Sequence, residues 1–115
     1  EPVSHYFNYD VAENKTKILT QPTFFEEIDR KENDQPLIIL DEIHKYKEWK
    51  NYLKGVYDGY ADEFRFLVTG SGRLDLSRKR GDALAGRYLH FHLFPFIICE
   101  ISFPEIRQVA PDILR

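Results

Sequence analysis

A short apolar run, Leu37–Leu40, stands between segments with helical spacing, and this alternation is the strongest constraint on the fold. Four apolar residues in a row, with no polar face, are typical of a strand at the centre of a parallel sheet. Three further segments have strand-like patterns, namely His5–Tyr9, Phe64–Thr69 and Tyr88–Leu93. The sequence therefore predicts four short strands separated by other elements.

Helical patterns lie between these strands. Thr23 and Glu26 fit a capping box, which predicts a helix that ends near Lys31–Asp34. Apolar residues form an amphipathic stripe from Tyr46 to Tyr60, and a further helix is predicted from Leu74 to Ala85. Strands that alternate with helices predict the α/β fold class, here a three-layer, mainly parallel sheet flanked by helices with right-handed crossovers.

The bulk composition limits the classes of protein to consider. The 115 residues suffice for one domain or part of one, and a chain with no Met that begins with Glu is expected to be a piece of a longer protein. A following segment is expected to begin after about residue 103. The net charge of -3 gives no general attraction to nucleic acid, and no apolar stretch approaches the length of a membrane span. We therefore expect a cytoplasmic protein with no membrane partner.

Polar residues follow the predicted strands where each one ends. Asp10 follows the first strand, Asp41 and Glu42 follow the second, and the turn after the third is surrounded by Thr69, Ser71 and Arg73. Ligands of open parallel sheets bind beyond the carboxyl ends of the strands, so these side chains are expected to converge. Adjacent acids suit phosphoryl transfer, because one carboxylate holds Mg²⁺ or its water shell while the other polarises a water. The alternative interpretation is that Asp41 and Glu42 only mark the place where a buried strand reaches solvent.

Three segments together resemble AAA+ ATPases. They are LIILDEIHKYKEWKNYLKGVYD, FRFLVTGSGRLDL and GDALAGRYLHFHLFPF, and the resemblance covers about residues 6 to 102. More narrowly, they resemble the archaeal and bacterial ATP-binding family in which the ATPase domain precedes a nuclease-like C-terminal domain. The resemblance implies ATP and Mg²⁺ as cofactors, and a three-layer P-loop NTPase fold.

The same resemblance implies a role for individual residues. Asp41 corresponds to the Walker B acid, which binds Mg²⁺ through water, and Glu42 to the catalytic glutamate. Ser71, with Thr69 nearby, falls at the sensor of the γ-phosphate. Arg87 corresponds to an arginine finger that acts on a neighbouring subunit's nucleotide, with Arg73 as a weaker candidate.

The Walker A loop, G-x-x-x-x-G-K-[ST], has no counterpart in the sequence. The segment Gly81–Tyr88 copies its glycine spacing, but the expected strand before it and helix after it are replaced by a basic helical stretch and a strand. The resemblance therefore implies that the first strand, between Phe64–Thr69 and Tyr88–Leu93, is missing. We expect unpaired edges, self-association or contact with neighbouring subunits, and little ATP binding by these residues alone.

Three other functions remain possible from the residues. Asp41–His44 fits the D-E-x-H box of helicases that act on nucleic acid. The alternative for His44 is a histidine at the start of a helix that points to solvent. A metal hydrolase using Asp41, Glu42 and His44 is disfavoured, because their spacing is not that of a helical H-E-x-x-H site. The third is a non-enzymatic scaffold that presents the aromatic helix ending at Tyr60, although aromatic side chains of this kind more often pack in a core.

Overall fold

The computed structural model describes residues 3–70 and 82–94. Within these residues, three strands, two α-helices and two short 3₁₀ helices follow one another. The strands are β1 (Ser4–Asn8), β2 (Leu37–Asp41) and β3 (Arg65–Thr69), and the α-helices are α1 (Ala12–Thr20) and α2 (Trp49–Tyr60). The 3₁₀ helices are Phe24–Glu27 and Ile43–Lys45.

The three strands form a parallel sheet in the order β1-β2-β3, as the α/β prediction requires. The three strands pair with no offset, so their last residues, Asn8, Asp41 and Thr69, are adjacent across the sheet. Both connections step in the same direction, and parallel crossovers are right-handed, so both place their helical segments on the same face. The carboxyl ends of all three strands meet at one edge.

The helix-covered face contains the core. Ile38 and Leu40 of β2 are almost completely buried, and their neighbours Phe7, Phe66 and Val68 pack against the same cluster. Phe25 lies at its centre and is 1% exposed. Its ring meets Tyr60, Phe64 and Phe66 edge to face, with centroid separations of 4.9, 5.3 and 5.5 Å. Such edge-to-face packing adds to the free energy gained from apolar burial.

The opposite face of the sheet is more open. Tyr6 of β1 and Leu67 of β3 remain 56% and 44% exposed, and Ile39 between them is half-buried. The α-helices of residues 3–70 therefore account for one helical layer. The second layer of the predicted three-layer fold is not among the elements that the structure describes.

The first helical segments differ from the prediction. Residues 12–20 form α1, which the sequence patterns did not reveal because only Ile18 of this helix is buried. The predicted α-helix from Thr23 is instead a 3₁₀ turn, Phe24–Glu27. The Thr23 side chain makes no capping hydrogen bond, and the backbone becomes extended at Ile28. Phe24 and Phe25 thus enter the core from a tight turn, and tertiary packing overrides the capping pattern. The predicted helix from Tyr46 to Tyr60 is confirmed with a start at Trp49.

The predicted strand Tyr88–Leu93 is wrong, because this segment pairs with no strand of the described sheet and has no regular secondary structure. Leu89, Phe91 and Leu93 are 85%, 83% and 89% exposed. An alternating pattern forms a strand only when a neighbouring strand takes its hydrogen bonds. Most of the predicted helix Leu74–Ala85 lies outside the described residues, and its last residues form a turn. None of the helices in the described ranges is long and apolar enough to cross a membrane.

Candidate functional site

The carboxyl edge of the sheet brings together the polar residues that follow the strands. Asn8 ends β1, and its side-chain oxygen accepts a hydrogen bond from the Asp10 N–H at 2.9 Å, which fixes the turn that leads to Asp10. The Tyr9 N–H donates to the Asp41 carbonyl at 3.0 Å, and the Glu42 N–H donates to the Thr69 carbonyl at 2.9 Å. These backbone bonds hold the first residues beyond β1 and β2 in register with the sheet.

Both carboxylate oxygens of Asp41 accept hydrogen bonds from neighbouring strands. Its Oδ1 accepts a hydrogen bond from the Thr69 hydroxyl at 2.8 Å, and its Oδ2 accepts one from the Tyr6 hydroxyl. The hydrogen bond to Asp41 is the main cause that raises the pKa of Tyr6, so the phenol stays protonated and donates. Each carboxylate oxygen of Asp41 is thus held by a hydroxyl from a different neighbouring strand.

Glu42 has an unusual backbone conformation for its residue type. Its φ of 58° and ψ of 20° lie in the left-handed region, which a residue with a side chain adopts at a cost. Asn33 is the other described non-glycine residue with positive φ, and asparagine tolerates this region. The left-handed turn at Glu42 ends β2 and starts the 3₁₀ helix Ile43–Lys45, and the Glu42 residue is only 9% exposed. A strained, buried acid at a sheet edge is a common feature of functional sites.

Lys45 connects two of the acids. Its Nζ lies 2.8 and 2.6 Å from the two carboxylate oxygens of Asp10, and 3.1 Å from Oε2 of Glu42. The hydrogen bond to Asp10, followed by that to Glu42, raises the pKa of Lys45, so the ammonium remains charged. Lys45 therefore joins the end of β1 to the turn after β2.

His44 is less exposed than the sequence suggested. The expectation that it points to solvent is wrong, since its side chain is 18% exposed and its Nε2 lies 3.8 Å from Oε2 of Glu42. Its Nδ1 is buried and has no hydrogen-bond partner among the described residues. His44 lies in the 3₁₀ helix Ile43–Lys45, directly after Glu42, and this turn keeps its ring beside the Glu42 carboxylate.

The predicted arginine and sensor residues have different outcomes. Ser71 and Arg73 lie outside the described residues. Arg87 lies next to α2, where its Nε donates to the Asp58 carboxylate at 2.8 Å and its Nη1 donates to the carbonyls of Ala83 and Ala85. The Arg87 guanidinium lowers the pKa of Asp58. The hydrogen bonds described for Arg87 thus go to α2 and its own turn.

Two residues of the site were missed by sequence reasoning. The sequence places Tyr6 only within the first predicted strand and assigns no role to Lys45. Lys45 is 35 positions from Asp10, and Tyr6 is 35 positions from Asp41. The period of two in β1 puts Tyr6 and Asn8 on one face, but their proximity to Asp41 depends on the strand order and register.

A comparison with protein-family models assigns the chain to a family. The family model for the AAA domain matches residues 2–102. The chain belongs to this family. No curated protein matches the sequence. AAA domains in general bind a nucleotide and use Mg²⁺, and ligands of open parallel sheets bind at the carboxyl edge of the strands.

The residues at this edge suit Mg²⁺ in an AAA domain. Mg²⁺ prefers oxygen ligands and is usually held by one or two carboxylates together with substrate phosphates and water. Within residues 3–70 and 82–94 no group of three or more His, Cys, Asp or Glu side chains forms a metal cage. Asp41 supplies a carboxylate whose orientation is fixed by two hydroxyl groups, which fits a site shared with a nucleotide.

Proposed function

We propose that this AAA domain binds ATP with Mg²⁺ and hydrolyses it in the natural protein. The observation that carries the proposal is the arrangement at the end of β2. Asp41 there is held by Tyr6 and Thr69, and the adjacent Glu42 is turned by a left-handed backbone into a buried position. The family match supports nucleotide chemistry in general, and this arrangement supports separate roles for the two acids.

Asp41 is proposed as the Walker B acid, which holds Mg²⁺ through water. The hydroxyl groups of Tyr6 and Thr69 donate hydrogen bonds to its two carboxylate oxygens and hold them in one orientation. Each carboxylate oxygen has two acceptor positions, so one remains on each for a water of the metal shell. The bound metal would supply charge neutralisation for the phosphates.

Glu42 is proposed as the group that accepts a proton from the attacking water. The left-handed backbone at Glu42 ends β2 directly after Asp41, and the Glu42 residue is buried there. In the structure its Oε2 contacts the Lys45 ammonium at 3.1 Å. A water molecule that takes this place on the carboxylate would be polarised for attack. The Lys45 ammonium binds both Asp10 and Glu42, and in this way it holds the glutamate at the edge of the sheet.

Other residues complete the proposal. Ser71 is proposed as the sensor of the γ-phosphate, with Thr69 at the base of the same turn. Arg87 is proposed as the arginine finger for a neighbouring subunit, and it would have to leave Asp58 to reach another nucleotide. Arg73 remains the weaker candidate. We also propose self-association or contacts with neighbouring subunits, and a longer parent protein with a nuclease-like C-terminal domain.

The Mg²⁺ requirement of ATP hydrolysis tests the role of Asp41. In the natural protein that contains these residues, Asp41→Asn keeps the shape of the side chain and removes its charge. Loss of a residue that merely orients a metal ligand weakens metal binding by about 10–100-fold, so loss of the acid itself is expected to raise the Mg²⁺ concentration for half-maximal hydrolysis at least about tenfold. Asp29→Asn, at an exposed acid elsewhere on the domain, is the matched control. An unchanged Mg²⁺ requirement in Asp41→Asn would contradict the proposal.

A further inference from the structure

The Tyr6 hydroxyl contacts the acid to which the metal role is assigned, although no sequence motif contains Tyr6. We infer that Tyr6 is a positioning residue that sets the orientation of the Asp41 carboxylate for the divalent cation. This inference rests on the proposed function, because it deepens the role given to Asp41. It concerns β1, a strand with no other residue in the proposed chemistry.

The strand register brings the two side chains together. Asn8 lies opposite Asp41, and Tyr6 lies two residues earlier on β1, opposite Ile39. Side chains two residues apart in a strand share a face, so Tyr6, Ile39 and Asp41 all belong to the open face of the sheet. The Tyr6 ring lies diagonally across from Asp41, a separation that a long aromatic side chain can span. The Tyr6 hydroxyl reaches Oδ2 of Asp41 in this way.

The two hydroxyl groups fix the carboxylate from opposite sides. Thr69 of β3 donates to Oδ1 at 2.8 Å, and Tyr6 of β1 donates to Oδ2. A carboxylate with one bond can rotate about its terminal torsion, which is soft for aspartate. With a donor on each oxygen, that rotation is stopped and one acceptor position per oxygen has a defined direction. The arrangement favours a single contact from each oxygen to a metal-bound water over bidentate binding.

The surroundings of Tyr6 also point to its hydroxyl group. The Tyr6 residue is 56% exposed and does not belong to the buried core. The polar contacts of its oxygen are the Asp41 carboxylate and the Asn8 side-chain amide, which donates to the hydroxyl at 3.4 Å. Tyr6→Phe therefore removes one hydrogen bond from Asp41 and leaves the packing of β1 as it is.

The test measures metal binding rather than turnover. The natural protein is mixed with a non-hydrolysable ATP analogue, and Mn²⁺ is titrated in place of Mg²⁺ and followed by its paramagnetic resonance signal. Tyr6→Phe is expected to raise the apparent Kd for Mn²⁺ about 10–100-fold, as is typical when a residue that orients a metal ligand is lost. The affinity for the analogue without metal should stay the same. Tyr57→Phe, at an exposed tyrosine of α2, is the matched control and should bind Mn²⁺ like the unaltered protein.

The Asp41→Asn variant separates two kinds of failure. If Asp41→Asn weakens Mn²⁺ binding and Tyr6→Phe does not, the role of Tyr6 is overturned and the proposed function stands. Tighter Mn²⁺ binding by Tyr6→Phe would also overturn it, because the hydroxyl would then compete with the metal for Asp41. If the unaltered protein binds neither the analogue nor Mn²⁺, both the proposed function and the role of Tyr6 are overturned.

Discussion

Replacing Glu42 with Gln is expected to lower kcat for ATP hydrolysis by about 10²–10⁴-fold while ATP binding persists. Glutamine has almost the same shape as glutamate, but its amide does not accept a proton from water. If Glu42 is the group that activates the attacking water, this single change removes general-base catalysis. The phosphate and metal contacts of the site would remain. Hydrolysis should be measured at saturating ATP, and binding with a fluorescent ATP analogue.

Glu42→Gln is expected to leave the contacts and the backbone conformation at this position unchanged. The amide oxygen of glutamine can still accept the hydrogen bond from Lys45. Glutamine also needs the same left-handed backbone conformation as glutamate, so the backbone strain at this position is unchanged. Glu27→Gln is the matched control, because Glu27 is an exposed acid of the first 3₁₀ helix. Turnover by Glu42→Gln equal to that of the Glu27→Gln control would count against the assignment.

Replacing Phe25 with Ala is expected to reduce the free energy of unfolding by about 3–5 kcal/mol, the usual cost of removing a buried phenylalanine. Phe25 is 1% exposed, and its ring contacts aromatic side chains from both the sheet and α2. The truncation loses this apolar burial and leaves a cavity between the two layers. A denaturant titration followed by circular dichroism measures the change.

Phe91→Ala is the control for Phe25→Ala, since the same atoms are removed from a side chain that is 83% exposed. Its free energy of unfolding should stay within about 0.5 kcal/mol of the unaltered protein, as for most surface substitutions. Equal destabilisation by the two variants would show that the buried cluster around Phe25 does not hold the helical layer to the sheet.

Two predicted elements that the structure confirms are a strand and a helix with strong local patterns. Leu37–Leu40 is apolar at every position and forms most of β2, the middle strand of the described sheet, with Ile38 and Leu40 buried on the helix-covered face. The stripe predicted from Tyr46 to Tyr60 becomes α2, which starts at Trp49 and buries Leu53 and Val56. In both segments the local pattern and the tertiary environment agree.

Other segments were predicted incorrectly because their patterns depend on neighbours. Tyr88–Leu93 alternates like a strand, but no described strand pairs with it and its apolar side chains are exposed. Helix α1 buries Ile18 and little else, so its sequence carries a weak periodic signal. Thr23 and Glu26 satisfy a capping rule, yet the demand to bury Phe24 and Phe25 produces a tight turn.

The candidate site also combines features that the sequence predicted with features that it did not. The convergence of Asp10, Asp41 and Glu42 was predicted from the rule that parallel strands end at one edge, and Lys45 does bring Asp10 and Glu42 into one ion-paired group. The left-handed backbone of Glu42 could not be predicted, because residue type argues against it. The hydroxyl of Tyr6 was not predicted either, since its contact depends on the register of two strands.

The sequence by itself determined the α/β class, the central strand, the amphipathic helix α2 and the two adjacent acids after β2, because these depend on local periodicity and on side-chain chemistry. The tertiary structure alone decided which side chains support those acids. Tyr6, Thr69 and Lys45 contact Asp41 or Glu42, and Tyr6 and Thr69 do so from other strands. Contacts between strands depend on strand order and register, which are set by the burial of the whole sheet and by no short segment of the chain.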